Sequence, residues 1–283
     1  MDDLENQNLE IKLLLEAIFQ KYGYDFRNYS MAHLKRRISR RQLLDGFASI
    51  SEMTNRVICD ADFFDRLLLD LSINVTEMFR DPTFFKAIRH QVVTFLKTYP
   101  FIKVWVAGCA SGEEVYSLAI LLQEEGIYDR AQIYATDFNQ VVLEKARKGI
   151  YAIDRIKAYT ENYQKSGGQR SFADYYSARY DAVLMAAALR ERVVFADHNL
   201  VTDGVFGQMH MIVCRNVIIY FDRQLQKKVV CLFMESLIDG GFLCMGQKES
   251  LSFSEYFDQL VLINEKEKIF QKRYPPGDRS QNE

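Results

Sequence analysis

The stretch VWVAGCASGEEVYSLAILL, Val104 to Leu122, decides the fold. It opens as an apolar, strand-like run, breaks at small residues, and resumes with apolar residues at helical spacing. Such a strand, tight turn and helix form the first βα unit of a mostly parallel sheet. Ile102 to Ala107 is the expected strand, and Gly108, Ala110, Ser111 and Gly112 are small enough to let a ligand approach the backbone. The helix then starts with Glu113 and Glu114 in its first turn. Two carboxylates there would oppose a pyrophosphate, whereas a ligand carrying an ammonium group would welcome one. The turn also lacks the three glycines of a dinucleotide fingerprint and the Lys-Ser/Thr of a phosphate loop.

Asp137, at the end of IYATDF and 25 residues past Gly112, stands where a nucleoside-binding sheet places its ribose-holding acid. A nucleoside joined to an amino acid satisfies both features, and S-adenosylmethionine is that molecule. The plainer alternatives are an acid pair that only favours the helix dipole and an Asp137 that only caps a helix.

Outward from this unit the texture divides near residue 80. Before it, IKLLLEAIF, HLKRRISRRQLL and FFDRLLLDLSI carry apolar residues at helical intervals, so the N-terminal part reads as all-helical. After it, QIYATDF is followed by QVVLEKARKGI and MHMIVCRNVIIYF by RQLQKKVVCLFMESL, with GGFLCMG closing the series. That alternation predicts an α/β doubly wound sheet with its ligand at the carboxyl ends of the strands. Residues 151–192 interrupt it with a stretch too long and polar for a plain crossover and read as an inserted subdomain, in which Gly167 and Gly168 suggest a hairpin. The tail from Pro275 to Glu283 reads as disordered.

Composition removes several classes. The 283 residues are 48% hydrophobic and 26% charged, with a net charge of -2, so no overall basic field draws the chain to nucleic acid or anionic lipid. No run approaches the roughly 20 apolar residues of a membrane span, and the acidic start is unlike a secretory signal. Cys59, Cys109, Cys214, Cys231 and Cys244 are odd in number and widely spaced, which reads as reduced core thiols of a cytoplasmic protein. His33, His90, His198 and His210 share no ligand spacing with them, and no metal site is expected.

Further stretches resemble, in order, the chemoreceptor methyltransferases of the CheR family: NVTEMFRDP (Asn74 to Pro82), GCASGEEVYSLAI (Gly108 to Ile120), ATDFNQVVLEKARKGIY (Ala135 to Tyr151), ADHNL (Ala196 to Leu200), CRNVIIYFD (Cys214 to Asp222) and GGFLCMGQKESL (Gly240 to Leu251). The resemblance implies a helical N-terminal domain over 1–72, a linker over 73–85, a Rossmann-like S-adenosylmethionine domain over 86–274 and a small β subdomain inserted at about 151–192. It also implies a protein-glutamate O-methyltransferase that esterifies receptor glutamates and releases S-adenosylhomocysteine. Carried over residue by residue, Asn74, Thr76 and Arg80 close over the cofactor, Glu113 or Glu114 takes its ammonium or a neighbouring group, and Asp137 accepts from its ribose. Asn199 with Leu200 frames the adenine, Arg215 with Asn216 serves the methionine end, and Tyr220 lies near the transferring methyl. Arg80 and Tyr220 are thus the expected catalytic pair. Gln247 and Lys248 stand where many members have His-Ser, and Met78 replaces a commoner Phe. These departures leave open the subfamily, and with it whether the insertion binds a receptor's C-terminal tethering peptide.

Arg27 to Arg41, RNYSMAHLKRRISRR, holds six Lys or Arg and no acid. On a helix, Lys35, Arg36 and Arg40 form a basic stripe, with Leu34, Ile38 and Leu43 facing inward. The plain reading is a solvated face; the resemblance favours docking on the acidic helical bundle of a receptor's cytoplasmic part. Nucleic acid is disfavoured, since the stripe has no interleaved aromatics and the chain lacks an Asp/Asn-Pro-Pro-Tyr/Phe motif. A catalytically silent adaptor is the other rival, and the presence of Arg80, Asp137, Asn216 and Tyr220 speaks against it.

Overall fold

The structure, a computed structural model, describes residues 3–72 and 76–275. Asn74 and residues 276–283 of the expected tail lie outside these. The chain divides into two compact units, Met1–Asn74 with Val217–Lys228, and Val75–Asn216 with Val229–Glu283.

The first unit carries helices α1 (Asp3–Tyr22), α2 (Met31–Asp45), α3 (Ile50–Cys59) and α4 (Ala61–Leu71). Local chemistry sets their ends. The Ser49 hydroxyl accepts from the Glu52 amide while the Glu52 carboxylate accepts from the Ala48 amide, a variant of the capping box at the start of α3. Asp60 caps α4 by accepting from the Phe63 amide, and Gly46, at φ 73°, ends α2 in the left-handed region. Ile11, Leu15 and Ile18 of α1, Leu34 and Ile38 of α2, Met53 and Val57 of α3, and Phe63, Phe64 and Leu67 of α4 form its core. Leu43 departs from expectation: it is 85% exposed rather than inward. Leu34 and Ile38 lie one turn apart, whereas Leu43 is five residues past Ile38 and has rotated off their stripe.

The second unit is built on a seven-stranded sheet, ordered β6-β2-β1-β7-β8-β10-β9. Its strands are β1 (Ile102–Ala107), β2 (Ala131–Asp137), β6 (Val193–Asp197), β7 (Met209–Cys214), β8 (Leu237–Met245), β9 (Leu260–Asn264) and β10 (Ile269–Lys272). The first five named are parallel, and β10 runs antiparallel to both β8 and β9. The expected α/β sheet is therefore present, with β6 and the closing β9–β10 hairpin as strands not foreseen from sequence. Alternation buries both faces: Val104 and Val106 join one core with α5 (Pro82–Ala87), α6 (Val93–Leu96) and α7 (Glu113–Glu124), while the Trp105 ring packs edge-on to Phe233, at 5.4 Å, in the C-terminal part of α10 (Arg223–Ser236). Strand order reverses between β1 and β7, which makes their carboxyl ends the switch point where such sheets bind ligands.

Between α8 (Gln140–Lys148) and β6 the chain forms the insertion, a three-stranded antiparallel sheet of β3 (Ile150–Ala152), β5 (Ala182–Met185) and β4 (Tyr176–Arg179), plus α9 (Ile156–Lys165). Its hairpin turns at Tyr180, at φ 54° and 98% exposed, not at the expected glycines. Gly167 and Gly168 follow α9 instead, and a Cβ on Gly168 would stand 2.3 Å from the Tyr163 ring. Close packing, not a β turn, requires the second glycine.

Candidate functional site

Strand register brings the predicted segments of the second unit together. Ala107 is level with Thr136, Val106 with Val213, and Val213 with Cys244. The loops that follow, with Gly108 to Gly112, Asp137 to Asn139, Arg215 to Asn216 and Gly246 to Glu249, therefore share one edge. Among the described residues six non-glycines have positive φ, and four of these lie in these loops or in the chain before α5: Phe79, Asp81, Ala110 and Asn216. Backbone strain concentrated this way marks functional sites.

The turn after β1 is fixed by hydrogen bonds from the Gly108 and Cys109 amides to the Thr136 carbonyl, both 2.8 Å. Asp137 ties the next loop to it: one carboxylate oxygen accepts from the Ala110 amide and the other from the Asn139 amide, each at 3.0 Å. Burial pushes the Asp137 carboxyl up to about 6 against the pull of those amides. Glu113 is also raised by burial, although the Ser111 hydroxyl donates to it at 2.7 Å. The buried Cys109 thiol is pushed well up, first by burial and then by the charge of Asp137, with Glu113 and Glu114 adding. A negative potential thus fills the turn. Gly112, at φ 90°, is required by packing: a Cβ there would lie 2.8 Å from the Ala146 Cβ.

Arg215 is the organising cation. Its side chain is 1% exposed and bonds Glu114 at 2.6 Å and Asp81 at 2.5 Å. It reaches the Arg80 carbonyl at 3.4 Å, and its guanidinium carbon sits 4.0 Å from the Phe84 ring centroid. Burial works against the charge, but Glu114, Asp81 and Glu249 raise its pKa overall. Arg215 Nε is buried with no partner among the described residues. The Phe79 amide donates to Ser117 Oγ, which itself donates to the Glu113 carbonyl, so the chain before α5 is held on α7 from two sides. Asp81, Phe84 and Ser117 escaped sequence reasoning; only the position of Asp81 beside Arg80 hinted at an ion pair there.

The remaining predicted residues fall as follows. Asn199 turns the loop after β6, its side-chain oxygen accepting from the Val201 amide at 2.9 Å, and Leu200 beside it is buried. Asn216, at φ 60°, leaves so little room that a Cβ on Gly246 would stand 2.9 Å from its amide nitrogen. Thr76 is half-buried. Tyr220 belongs to the first unit, where its carbonyl accepts from the Ser30 amide at 2.8 Å.

The donor set at the strand ends suits a cationic, hydroxyl-bearing ligand. Asp81, Glu113, Glu114, Asp137 and Glu249 outnumber Arg80 and Arg215, and both Glu113 and Asp137 have raised pKa values that a nearby cation or hydroxyl donor would bring down. The orphaned Nε–H of Arg215 is in turn a donor for an anionic group. A sulfonium, an ammonium, ribose hydroxyls and a carboxylate together are what S-adenosylmethionine offers.

Fold and site define an S-adenosylmethionine-dependent methyltransferase. Residues 74–265 match the CheR methyltransferase, SAM binding domain, and residues 9–72 match the CheR methyltransferase, all-alpha domain. The chain belongs to the CheR methyltransferase family, and S-adenosylmethionine is its cofactor. It is 49% identical over 272 residues to Cher3 of Pseudomonas putida, a protein named as a methyltransferase, covering 96% of this chain and 100% of that one. Proteins named chemotaxis protein methyltransferase from Listeria innocua and Salmonella typhimurium are 29% and 28% identical, over 88% and 84% of this chain and 92% and 83% of theirs. The resemblance drawn from the sequence motifs is borne out. Among the described residues no helix is long and apolar enough to cross a membrane.

Proposed function

We propose that this protein transfers the methyl group of S-adenosylmethionine to glutamate side chains of bacterial chemoreceptors, giving glutamate methyl esters and S-adenosylhomocysteine. The observation that carries the reading is that both domains of the family lie in order on one chain, and that relatives named for chemotaxis match most of its length.

The bound cofactor supplies an activated methyl on a positively charged sulfur. A glutamate is already ionised at neutral pH, so the protein's own task is positioning and exclusion of water rather than proton transfer. In this reading Glu113 or Glu114 takes the ammonium, Asp137 the ribose hydroxyls, Asn199 and Leu200 the adenine, and Arg215 and Asn216 the methionine end. Gly108 keeps the turn after β1 open to the ligand, and Asn74, Thr76 and Arg80 close over the cofactor. Arg80 and Tyr220 act at the reacting carboxylate, Arg80 holding it and Tyr220 orienting it. Too tight an ion pair with Arg80 would stabilise the ground state of the nucleophile, so orientation counts for more than attraction.

For the partner, Arg36 and Arg40 on α2 are exposed, with Lys35 half-buried between them and the core side. Arg27 and Arg41, by contrast, are engaged by Glu16, Asp25, Asp45 and Asp70. Arg36 and Arg40, which make no ion pair among the described residues, are the proposed contact for the acidic helices of the receptor, where charge speeds encounter and sets register.

The test is methyl transfer from radiolabelled cofactor to a receptor signalling domain of the same organism, scored as base-labile methyl ester. Labelling that disappears in Arg80→Ala and Asp137→Ala supports the reading. A protein that binds cofactor but esterifies no receptor would overturn it.

A further inference from the structure

The segment that carries Tyr220 is held by the helical unit itself. The Ser30 amide donates to the Tyr220 carbonyl and the Asp222 amide to the Asn28 carbonyl, both at 2.8 Å. Between them Tyr29 and Phe221 form an isolated antiparallel bridge, with their rings 4.9 Å apart and tilted by 65°. Residues 28–30 and 220–222 thus make a short two-stranded clasp.

Two side chains of α2 then turn toward the tyrosine. The His33 ring meets the Tyr220 ring edge-on, with centroids 5.0 Å apart and planes at 90°. Arg37 is one helical turn further on the same side, and its Nη1 donates to the Asp70 carbonyl at 2.5 Å, which anchors its far end. The Tyr220 phenol lies within electrostatic reach of Arg37: burial lowers the guanidinium's pKa, and Tyr220 raises it. His33 Nδ1 and Arg37 Nε are both buried without a hydrogen-bond partner among the described residues. Such orphans are uncommon and call for an explanation.

We infer that His33 and Arg37 are positioning residues for Tyr220, the histidine edge fixing the plane of its ring and the guanidinium turning its hydroxyl hydrogen outward. A cation beside a phenol attracts the oxygen lone pairs and repels the O–H dipole's positive end, so the hydroxyl is presented as a donor on the side away from Arg37. The same helix carries Arg36 and Arg40 on its exposed side. Helix α2 therefore has a second task besides any docking, as the backing of a residue at the chemistry.

The inference rests on the assignment of Tyr220 under the proposed function, and the experiment separates the two. Initial rates of receptor methyl esterification are measured for the full chain, for Tyr220→Phe, and for His33→Ala, Arg37→Gln and Arg37→Lys, each alone and combined with Tyr220→Phe. His33→Ala and Arg37→Gln should each lower kcat by about tenfold while KM for cofactor and receptor changes by less than about twofold, and Arg37→Lys should restore most of the loss. On the Tyr220→Phe background the same two substitutions should cost less than about twofold, because they act through the hydroxyl that is gone. Equal losses on both backgrounds, or no loss in kcat, would overturn the inference. If Tyr220→Phe alone keeps the full kcat, the assignment of Tyr220 fails first and the inference with it. Should Arg37→Gln unfold because the Asp70 contact is lost, His33→Ala, whose ring makes no such anchor, decides the matter alone.

Discussion

The Arg215 site yields a quantitative expectation. Its guanidinium is 1% exposed and has two carboxylate partners that differ in environment, Glu114 at 14% and Asp81 at 35% exposure. Removing one partner of a desolvated pair costs about 3–5 kcal/mol because the other charge is left stranded. Here one partner always remains, so Glu114→Gln should cost about 2–3 kcal/mol. Asp81 is more than a third exposed, and water screens it, so Asp81→Asn should cost about 1 kcal/mol or less. Asn is also the side chain that best tolerates the left-handed backbone of Asp81, at φ 55°, so that substitution leaves the local geometry intact. The assay is guanidinium unfolding followed by the fluorescence of Trp105, the chain's single tryptophan, buried in β1 of the same unit. Repeating both substitutions on an Arg215→Met background closes the cycle. There Glu114→Gln should become neutral or stabilising, since Glu114 is then the stranded charge. Equal costs for the two single substitutions, or an unchanged cost for Glu114→Gln without the arginine, would refute the account of Arg215 as a buried cation held by these two acids.

Other outcomes follow from the same geometry. Gly112→Ala combines a left-handed backbone with a Cβ 2.8 Å from Ala146, and should lose about 3 kcal/mol by Trp105 fluorescence; Gly126→Ala, at φ 70° with nothing within 4 Å, should lose about 1. Asp137 has its carboxyl raised to about 6 from 3.8, so the folded state holds the proton more tightly and stability falls as pH rises from 4 to 6. Asp137→Asn should therefore be neutral or slightly destabilising below pH 4, and above pH 6 should stabilise the cofactor-free protein by about 1–2 kcal/mol after the loss of one amide acceptor. The same variant should lose binding of S-adenosylhomocysteine in calorimetry; a variant that is less stable at pH 7 and still binds would contradict both statements. Glu124, 1% exposed, accepts from the Tyr175 hydroxyl at 2.9 Å and the Gln169 amide at 3.0 Å, and pairs with Arg89. Glu124→Gln should open residues 167–171 to limited proteolysis at low protease, whereas Glu125→Gln should not.

How far the sequence could lead depended on the range of the forces involved. β1 and the start of α7 fall at the residues expected, because a buried strand and a first helical turn are written locally in hydrophobic pattern and small residues. Asp137 ends β2 as foreseen. The hairpin of β9 and β10 was missed since its strands, LVLIN and IFQK, are short and separated by the charged EKEK, which masks the turn. β6 was missed for a similar reason: its strand follows the polar RER without a glycine or proline to mark the boundary. Leu43 was placed inward by periodicity, yet α2 ends two residues later, at Asp45, where core packing no longer dictates which side is covered. The hardest features to see were ion pairs across long separations. Arg215 meets Asp81 across 134 residues and Glu114 across 101, and nothing in the local pattern of any of the three announces the others.

Those long-range bonds converge on α7, and the convergence has a physical logic. At its first turn, Glu113 accepts from Ser111 and more distantly from Tyr159 of the insertion, at 3.4 Å, while Glu114 holds Arg215. One turn on, Ser117 accepts the Phe79 amide. The Tyr151 hydroxyl donates to the Ser111 carbonyl at 2.8 Å, and at the far end Glu124 gathers Tyr163 and Tyr175. The insertion is therefore gripped at both ends of one helix, and the chain before α5 is fastened to its beginning. Phe79, Asp81, Ala110 and Asn216 sit in backbone conformations that cost on the order of 1 kcal/mol or more each, and only surroundings that over-determine them keep them there. A reaction between an ionised carboxylate and a sulfonium methyl gains little from acids and bases and much from fixed distance and direction. Rigidity at the strand ends, obtained from buried ion pairs and amide acceptors rather than from a proton relay, is the form of assistance such a reaction can use.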